Sequence, residues 1–282
     1  MERIRKGLRL VRASWDVVRA DREMLLLPVL SAIATICVLA LTFAGLFADD
    51  LAALRDGGEL TKPTAGEYVI LAIAGYVATY LAIFFNVALI CAANDRMTGG
   101  DPTLRSALGE ARTHARAIAP WALVSVTVAT VLRLIEERAG VVGKLAAGLL
   151  GVAWALVTYL VLPVLVLEGV GVRAAIRRSK DLFVRTWGET VSGEVGMSIV
   201  GFLAVLVALP VLLFIGGGGQ PEWVVTAVVL GAAWMLLVAT VMSALNAVFR
   251  VALYRYATDG ESPEGFRHLD LGHVFPPKRG AA

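Results

Sequence analysis

The sequence predicts an all-α polytopic membrane bundle, six transmembrane helices with three basic amphipathic interfacial helices along one side. Three observations predict it. Of 282 residues, 58% are hydrophobic and only 17% charged, where an ordinary soluble domain carries about 25% charge; the mean hydropathy is +0.75. Six apolar runs, at about 24–47, 68–93, 118–135, 143–167, 192–215 and 223–249, are long enough to cross a bilayer core, which takes roughly 18 or more apolar residues. Finally, basic residues are sorted between alternate connections.

The first run, Met24 to Phe47, follows a stretch of about twenty residues rich in polar and basic side chains. A secretory signal has a shorter apolar region of about 7–15 residues that ends at a small-x-small site. "FAGLFADD" (43–50) offers none, so the run is expected to stay as a first span. The next connection, 48–67, carries Asp49, Asp50, Asp56, Glu59 and Glu67 against Arg55 and Lys62. Residues 136–144 add Arg138 and Lys144, and "GGGGQPEW" (216–223) has no basic residue. The opposite set of connections holds 21 Lys and Arg against these four. The positive-inside rule puts that set in the cytoplasm, with both termini. The abundance of Arg, Ala, Val and Gly points to a bacterial chain and hence to the inner (plasma) membrane.

Each odd-numbered span is preceded by a helix with one apolar and one basic face. Before the first span, Ile4, Leu8, Val11, Trp15 and Val18 oppose Arg5, Arg9, Arg12 and Arg19. Before the third, Leu104, Ala107, Leu108, Ala111 and Ala115 oppose Arg105, Arg112 and Arg116, with Asp101 placed to cap the helix and Pro102 at its first position. Before the fifth, Val172, Ala175, Ile176, Ser179, Phe183 and Trp187 oppose Arg173, Arg177, Lys180 and Arg185, with Arg178 beside them. The layout implies one membrane domain, 1–260, of three repeated units (about 1–100, 101–170 and 171–260), and a short cytoplasmic tail, 261–282. Asn86 and Asn246 fall near the inner ends of the second and sixth spans and are expected to make interhelical polar contacts.

Three stretches, "LRLVRASWDVVRADREMLLLPVLSAI" (8–33), "RRSKDLFVRTWGE" (177–189) and "ALYRYATDGESPEGF" (252–266), carry a resemblance. The chain resembles an uncharacterised prokaryotic family of six-span membrane proteins, itself distantly similar to the membrane domain of some glycerophosphodiester phosphodiesterases. The resemblance implies a membrane location and no established activity. No phosphodiesterase catalytic domain accompanies these stretches, so that activity does not carry over.

Motifs for catalysis are missing. His114, His268 and His273 do not pair with Cys, Asp or Glu at metal-ligand spacing, and HExxH, GxSxG and Walker A patterns are absent. Neither catalytic residues, nor a metal, nor a cofactor is expected. Cys37 and Cys91 lie in apolar runs and read as small hydrophobic side chains. Arg133 lies near an outer end, where Glu136 and Glu137 can meet it. Intramembrane charge, which marks coupled transport, is not expected at a midplane.

The most distinctive feature is therefore the set of basic faces. Arg5, Arg9, Arg12, Arg105, Arg112, Arg173, Arg177, Arg178, Lys180 and Arg185 are the candidate contacts to lipid headgroups. Read this way, the chain is a non-enzymatic membrane protein whose collar organises or senses anionic lipid, or docks an acidic partner. The collar can equally serve topology alone. Nucleic acid is not expected, because the membrane already uses these charges. The competing reading is a passive carrier or channel for a lipid or small solute.

Overall fold

The computed structural model describes residues 2–55, 64–138, 140–216 and 221–260, together with Pro263 and Phe266. Among them all regular structure is helical. The helix α1 (Glu2–Ala20) leads through a short 3-10 turn (Arg22–Leu25) into α2 (Leu26–Arg55), which kinks at Phe47. Then come α3 (Ala65–Met97), α4 (Leu104–Thr113) and α5 (Ala115–Arg138). They are followed by α6 (Gly140–Val157), α7 (Val161–Leu167) and α8 (Val172–Arg185). The long helices α9 (Trp187–Gly216) and α10 (Pro221–Asp259) complete the order.

Among the described residues five stretches are long and apolar enough to cross a membrane: Glu23–Ala48, Ala65–Met97, Ala115–Arg138, Val142–Leu167 and Trp223–Asp259. These are the features of a multi-pass membrane protein. The remaining expected span lies within α9, whose described apolar stretch, Gly196–Pro210, is shorter.

Local chemistry accounts for several helix ends. Thr64 caps α3 in a capping box: its Oγ1 accepts from the Glu67 amide, and a Glu67 carboxylate oxygen accepts from the Thr64 amide. At α4 the cap is Thr103 and not Asp101. Thr103 Oγ1 accepts from Ser106 N at 3.1 Å while Ser106 Oγ accepts from Thr103 N at 3.0 Å, so two otherwise orphaned amides are satisfied at once. Pro102 consequently sits before the helix instead of inside it. Past the ends of α3, α7 and α10, Gly99, Gly169 and Gly260 adopt left-handed φ of 87°, 64° and 74°. A left-handed residue past the last turn lets the final carbonyls find partners, and glycine does this without a Cβ penalty.

The break between α6 and α7 traces to Pro163. Proline has no amide for the Tyr159 carbonyl, and its ring crowds that carbonyl, so the helix parts over Thr158–Leu160. Ser179 of α8 enters the break. Its hydroxyl donates to Val157 O at 2.7 Å and accepts from Leu160 N at 3.0 Å. By contrast, Pro210 lies within the continuous α9.

Packing follows a simple scheme. α2 lies along α3, α5 along α6, and α9 along α10. Away from α1, α4 and α8, each of these pairs closes mainly on itself. On α10, for example, Ala227, Gly231, Trp234 and Val238 form one half-buried stripe, with Trp234 Nε1 donating to Ala204 O of α9 at 2.9 Å. The residues between them, such as Val228, Val229 and Leu237, are exposed. Gly151 of α6 similarly admits the Leu132 side chain of α5.

The core is concentrated at the other end. It is built from Val87–Ala93 of α3, Leu160, Val161 and Val164–Val166 around α7, and Ala244, Leu245 and Ala247–Phe249 with Val251–Leu253 of α10, covered by α1 and α8. Lipid supplies no hydrophobic force between helices, because acyl chains solvate an apolar face as well as another helix does. Water does supply that force, at roughly 25 cal/mol per Å² buried. Dense apolar packing is thus found at the end that carries the basic helices.

Candidate functional site

The three basic stretches are helical, in α1, α4 and α8, and protein covers many of their apolar side chains. α1 buries Leu10, Val11, Ala13, Ser14, Val17 and Val18 and packs against α9 and α10. α4 buries Ala107 and Ala111 and packs against α3, and α8 buries Ala175, Ser179, Leu182 and Phe183 against α6 and α7. Their amphipathic pattern thus arises from capping the bundle; among the described residues Leu8, Trp15 and Val184 are the large apolar side chains they leave exposed.

The charged faces point outward. Arg9, Arg12, Arg105, Arg112, Arg173, Arg177 and Lys180 are exposed, and among the described residues none of them has a carboxylate partner. Arg178 differs. It is half-buried, and its Nε donates to Glu168 Oε1 at 3.1 Å. The side chains of Arg5 and Arg185 lie outside the described residues, as do His268 and His273. At the far end, Arg133 pairs with Glu137 at 3.2 Å, in the open.

Beneath the collar lies a polar seam that the sequence reading passed over. Asn246, Arg250 and Tyr254 recur every four residues on α10 and therefore share one face. That face meets the α6–α7 break and the end of α7. The Arg250 guanidinium carbon lies 4.8 Å from the centroid of the Tyr159 ring, a cation–π contact. The Tyr254 hydroxyl donates to Glu168 Oε1 at 3.1 Å, the oxygen that also receives Arg178. At the next residue, Arg255 Nε and Nη2 donate to Asn94 Oδ1 of α3 at 3.0 and 2.8 Å. These contacts tie α10 to α7, α8 and α3.

Asn86 and Asn246 are both half-buried, and among the described residues their carboxamide oxygens, shielded from solvent, accept no hydrogen bond. Among the described residues neither oxygen takes part in the direct interhelical bond expected of it. Nε of Arg250 is in the same state. The signal that would have found this group is the i, i+4, i+8 spacing of Asn246, Arg250 and Tyr254; position in the chain had placed Arg250 simply beyond a span.

The junction of α1, α3 and α4 is polar too. Asp21 caps the 3-10 turn, its Oδ1 accepting from Glu23 N at 3.2 Å, while its buried Oδ2 has no partner among the described residues. Burial pushes the Asp21 carboxyl above its ordinary pKa. Glu23 Oε2 accepts from Leu104 N at 2.8 Å, which places a carboxylate at the start of α4. A shallow cleft of about 400 Å³ opens there, lined by Asp16, Ala20, Arg96 and Gly99 among others. A second, of about 240 Å³, is lined by Cys91, Asn94, Asp95, Ser106 and Glu110. Among the described residues no group of three or more His, Cys, Asp or Glu could hold a metal ion.

No curated protein and no solved structure matches the chain, so a likeness to the membrane domain of glycerophosphodiester phosphodiesterases finds no support there. A family model does match, over residues 65–266, which run from the start of α3 to the buried Phe266 and so take in both the polar seam and two of the three basic helices. The chain belongs to the family of unknown function DUF6159.

Proposed function

We propose that this protein is a non-enzymatic, six-span protein of the bacterial inner membrane, with both termini in the cytoplasm, that organises or senses anionic lipid through its basic collar. The three helix pairs, each introduced by a basic helix, are read as repeats of one unit. The observation that carries the lipid reading is the state of the collar. Seven of its side chains are exposed and lack carboxylate partners among the described residues, although the helices that bear them are firmly seated on the bundle. A charge needed only for topology has no need of a rigid mount.

Each basic residue near an anionic surface contributes about 1 kcal/mol. Replacing Arg173, Arg177 and Lys180 together by Gln should therefore weaken attraction by about 3 kcal/mol before screening, and by less in salt. Arg178 is left out because its partner is Glu168. The measurement is binding of phosphatidylglycerol against phosphatidylcholine by native mass spectrometry. Unchanged preference in the triple variant reduces the collar to a topology signal. The passive-carrier reading draws on the broken α6–α7 helix, since discontinuous helices line the substrate sites of several transporters. It gains if solute flux falls in a Thr158→Val variant whose lipid preference is intact.

A further inference from the structure

Arg250 poses a problem that the collar does not explain. Its Nε is shielded from solvent and has no hydrogen-bond acceptor among the described residues. Its one described contact is the face of Tyr159, 4.8 Å away. The carboxylate on the same seam, Glu168, is already engaged by Arg178 and Tyr254. Arg250 as a whole is half-buried, and its shielded Nε without an acceptor is costly, a cost that a ring face offsets only in part. One turn earlier on the same face, Asn246 also carries an unmatched polar atom, as does Asn86 on α3, which packs against both α10 and α7.

Depth identifies the anion. At about 1.5 Å per residue, Asn86 lies about 28 Å along α3 from Glu67, and Arg250 about 40 Å along α10 from Trp223. The hydrocarbon core is about 30 Å thick. Asn86 therefore lies near the edge of the core on the basic side, and Arg250 past it, at the headgroup level. Toward the bilayer centre from them, each helix pair buries mainly the stripe facing its own partner, and apolar side chains such as Leu230, Leu236 and Leu237 remain exposed. A guanidinium at headgroup depth with open apolar surface beyond it matches an amphiphile whose phosphate is at the interface and whose chains point inward.

We propose that Arg250, assisted by Asn86 and Asn246, binds the phosphate of one phospholipid from the leaflet on the basic side. The phosphate satisfies the guanidinium, and the two carboxamides hydrogen-bond the phosphate and glycerol oxygens or hydroxyls, an Asn side chain offering both donor and acceptor. The acyl chains lie between the helix pairs. This deepens the lipid reading of the collar, on which it rests, but concerns a different class of contact: a single lipid held at one half-buried guanidinium, where the collar attracts many.

Salt separates the two. In about 1 M salt the screening length is about 3 Å, so collar lipids are released while a partly buried ion pair is screened much less. The full-length protein is extracted with phosphatidylglycerol, washed at high salt and analysed by native mass spectrometry. One retained lipid per chain is expected. Arg250→Gln should lower its occupancy at least tenfold, whereas the Arg173, Arg177 and Lys180 triple variant should retain it. Asn246→Asp guards against misfolding as the cause of the loss: it supplies a carboxylate one turn from Arg250 and should expel the lipid while the melting temperature is kept or raised. The proposal is overturned if the wild type retains no lipid after the salt wash, or if both Arg250→Gln and Asn246→Asp keep it. Displacement of the lipid by millimolar inorganic phosphate would also overturn it, by assigning the site to a soluble anion. Retention in Arg250→Gln together with collar-dependent binding at low salt would reject this site and leave the collar reading standing.

Discussion

Replacing Ser179 by Ala tests how the broken helix is held. The Ser179 side chain is fully buried, and its hydroxyl serves two backbone groups left over by the break, Val157 O at 2.7 Å and Leu160 N at 3.0 Å. Neither can turn to a helical neighbour, since the Val161 amide that would serve Val157 O bonds Thr158 O instead, at 3.1 Å. The site is too enclosed for water to replace the hydroxyl. A buried donor or acceptor left without a partner costs about 1–3 kcal/mol. Because a carbonyl tolerates loss better than an amide, the total expected is about 2–4 kcal/mol, a large share of the stability of a typical fold. Chemical unfolding in detergent micelles, followed by near-ultraviolet circular dichroism, measures it. The same change in a Pro163→Ala background should cost less, by about 1 kcal/mol or more, because an alanine amide there can donate to Tyr159 O and allow the helix to re-form across the gap. A Ser179→Ala loss under about 0.5 kcal/mol, the scatter of neutral surface changes, would refute the account of the break. Equal losses in both backgrounds would refute its link to Pro163.

Three further outcomes follow from the same structure. Asp21→Asn keeps the cap, because an Asn side chain accepts from the Glu23 amide as well as Asp does. It also removes the cost of ionising a buried carboxyl whose pKa is raised. The variant should therefore melt higher than wild type above that raised pKa, and the difference should vanish below about pH 3.9, where the unfolded carboxyl is protonated as well; an equal melting temperature at neutral pH would contradict the burial. Asn94→Ala removes the acceptor of two Arg255 hydrogen bonds between α3 and α10 and should cost about 1–2 kcal/mol in the same unfolding assay. Single cysteines should label poorly at Ala175, which is fully buried, and readily at Arg177; equal labelling would undo the seating of α8.

Sequence alone determined the features that depend on composition and period. Apolar runs of membrane length, and basic residues confined to alternate connections, follow from the solvent each segment must meet. The 3.6-residue pattern likewise placed α1, α4 and α8 and sorted each into two faces. It could not say what covers the apolar face, because protein and lipid impose the same pattern on a helix. Only the packed structure decided that, seating all three on the bundle and leaving Arg9, Arg105 and Arg177 outward. The cap of α4 passed from Asp101 to Thr103 because the choice between adjacent capping residues depends on which side chain reaches back. Pro163 announced a break, but Ser179, which fills it, comes from a different helix. The polar seam was the least legible part. Arg250 looks like one more flanking charge in the chain, and becomes a half-buried guanidinium over Tyr159 only when α10 packs against the break between α6 and α7. A residue's neighbours along a helix are fixed by its period; its neighbours across helices depend on which elements dock, and no local pattern encodes that.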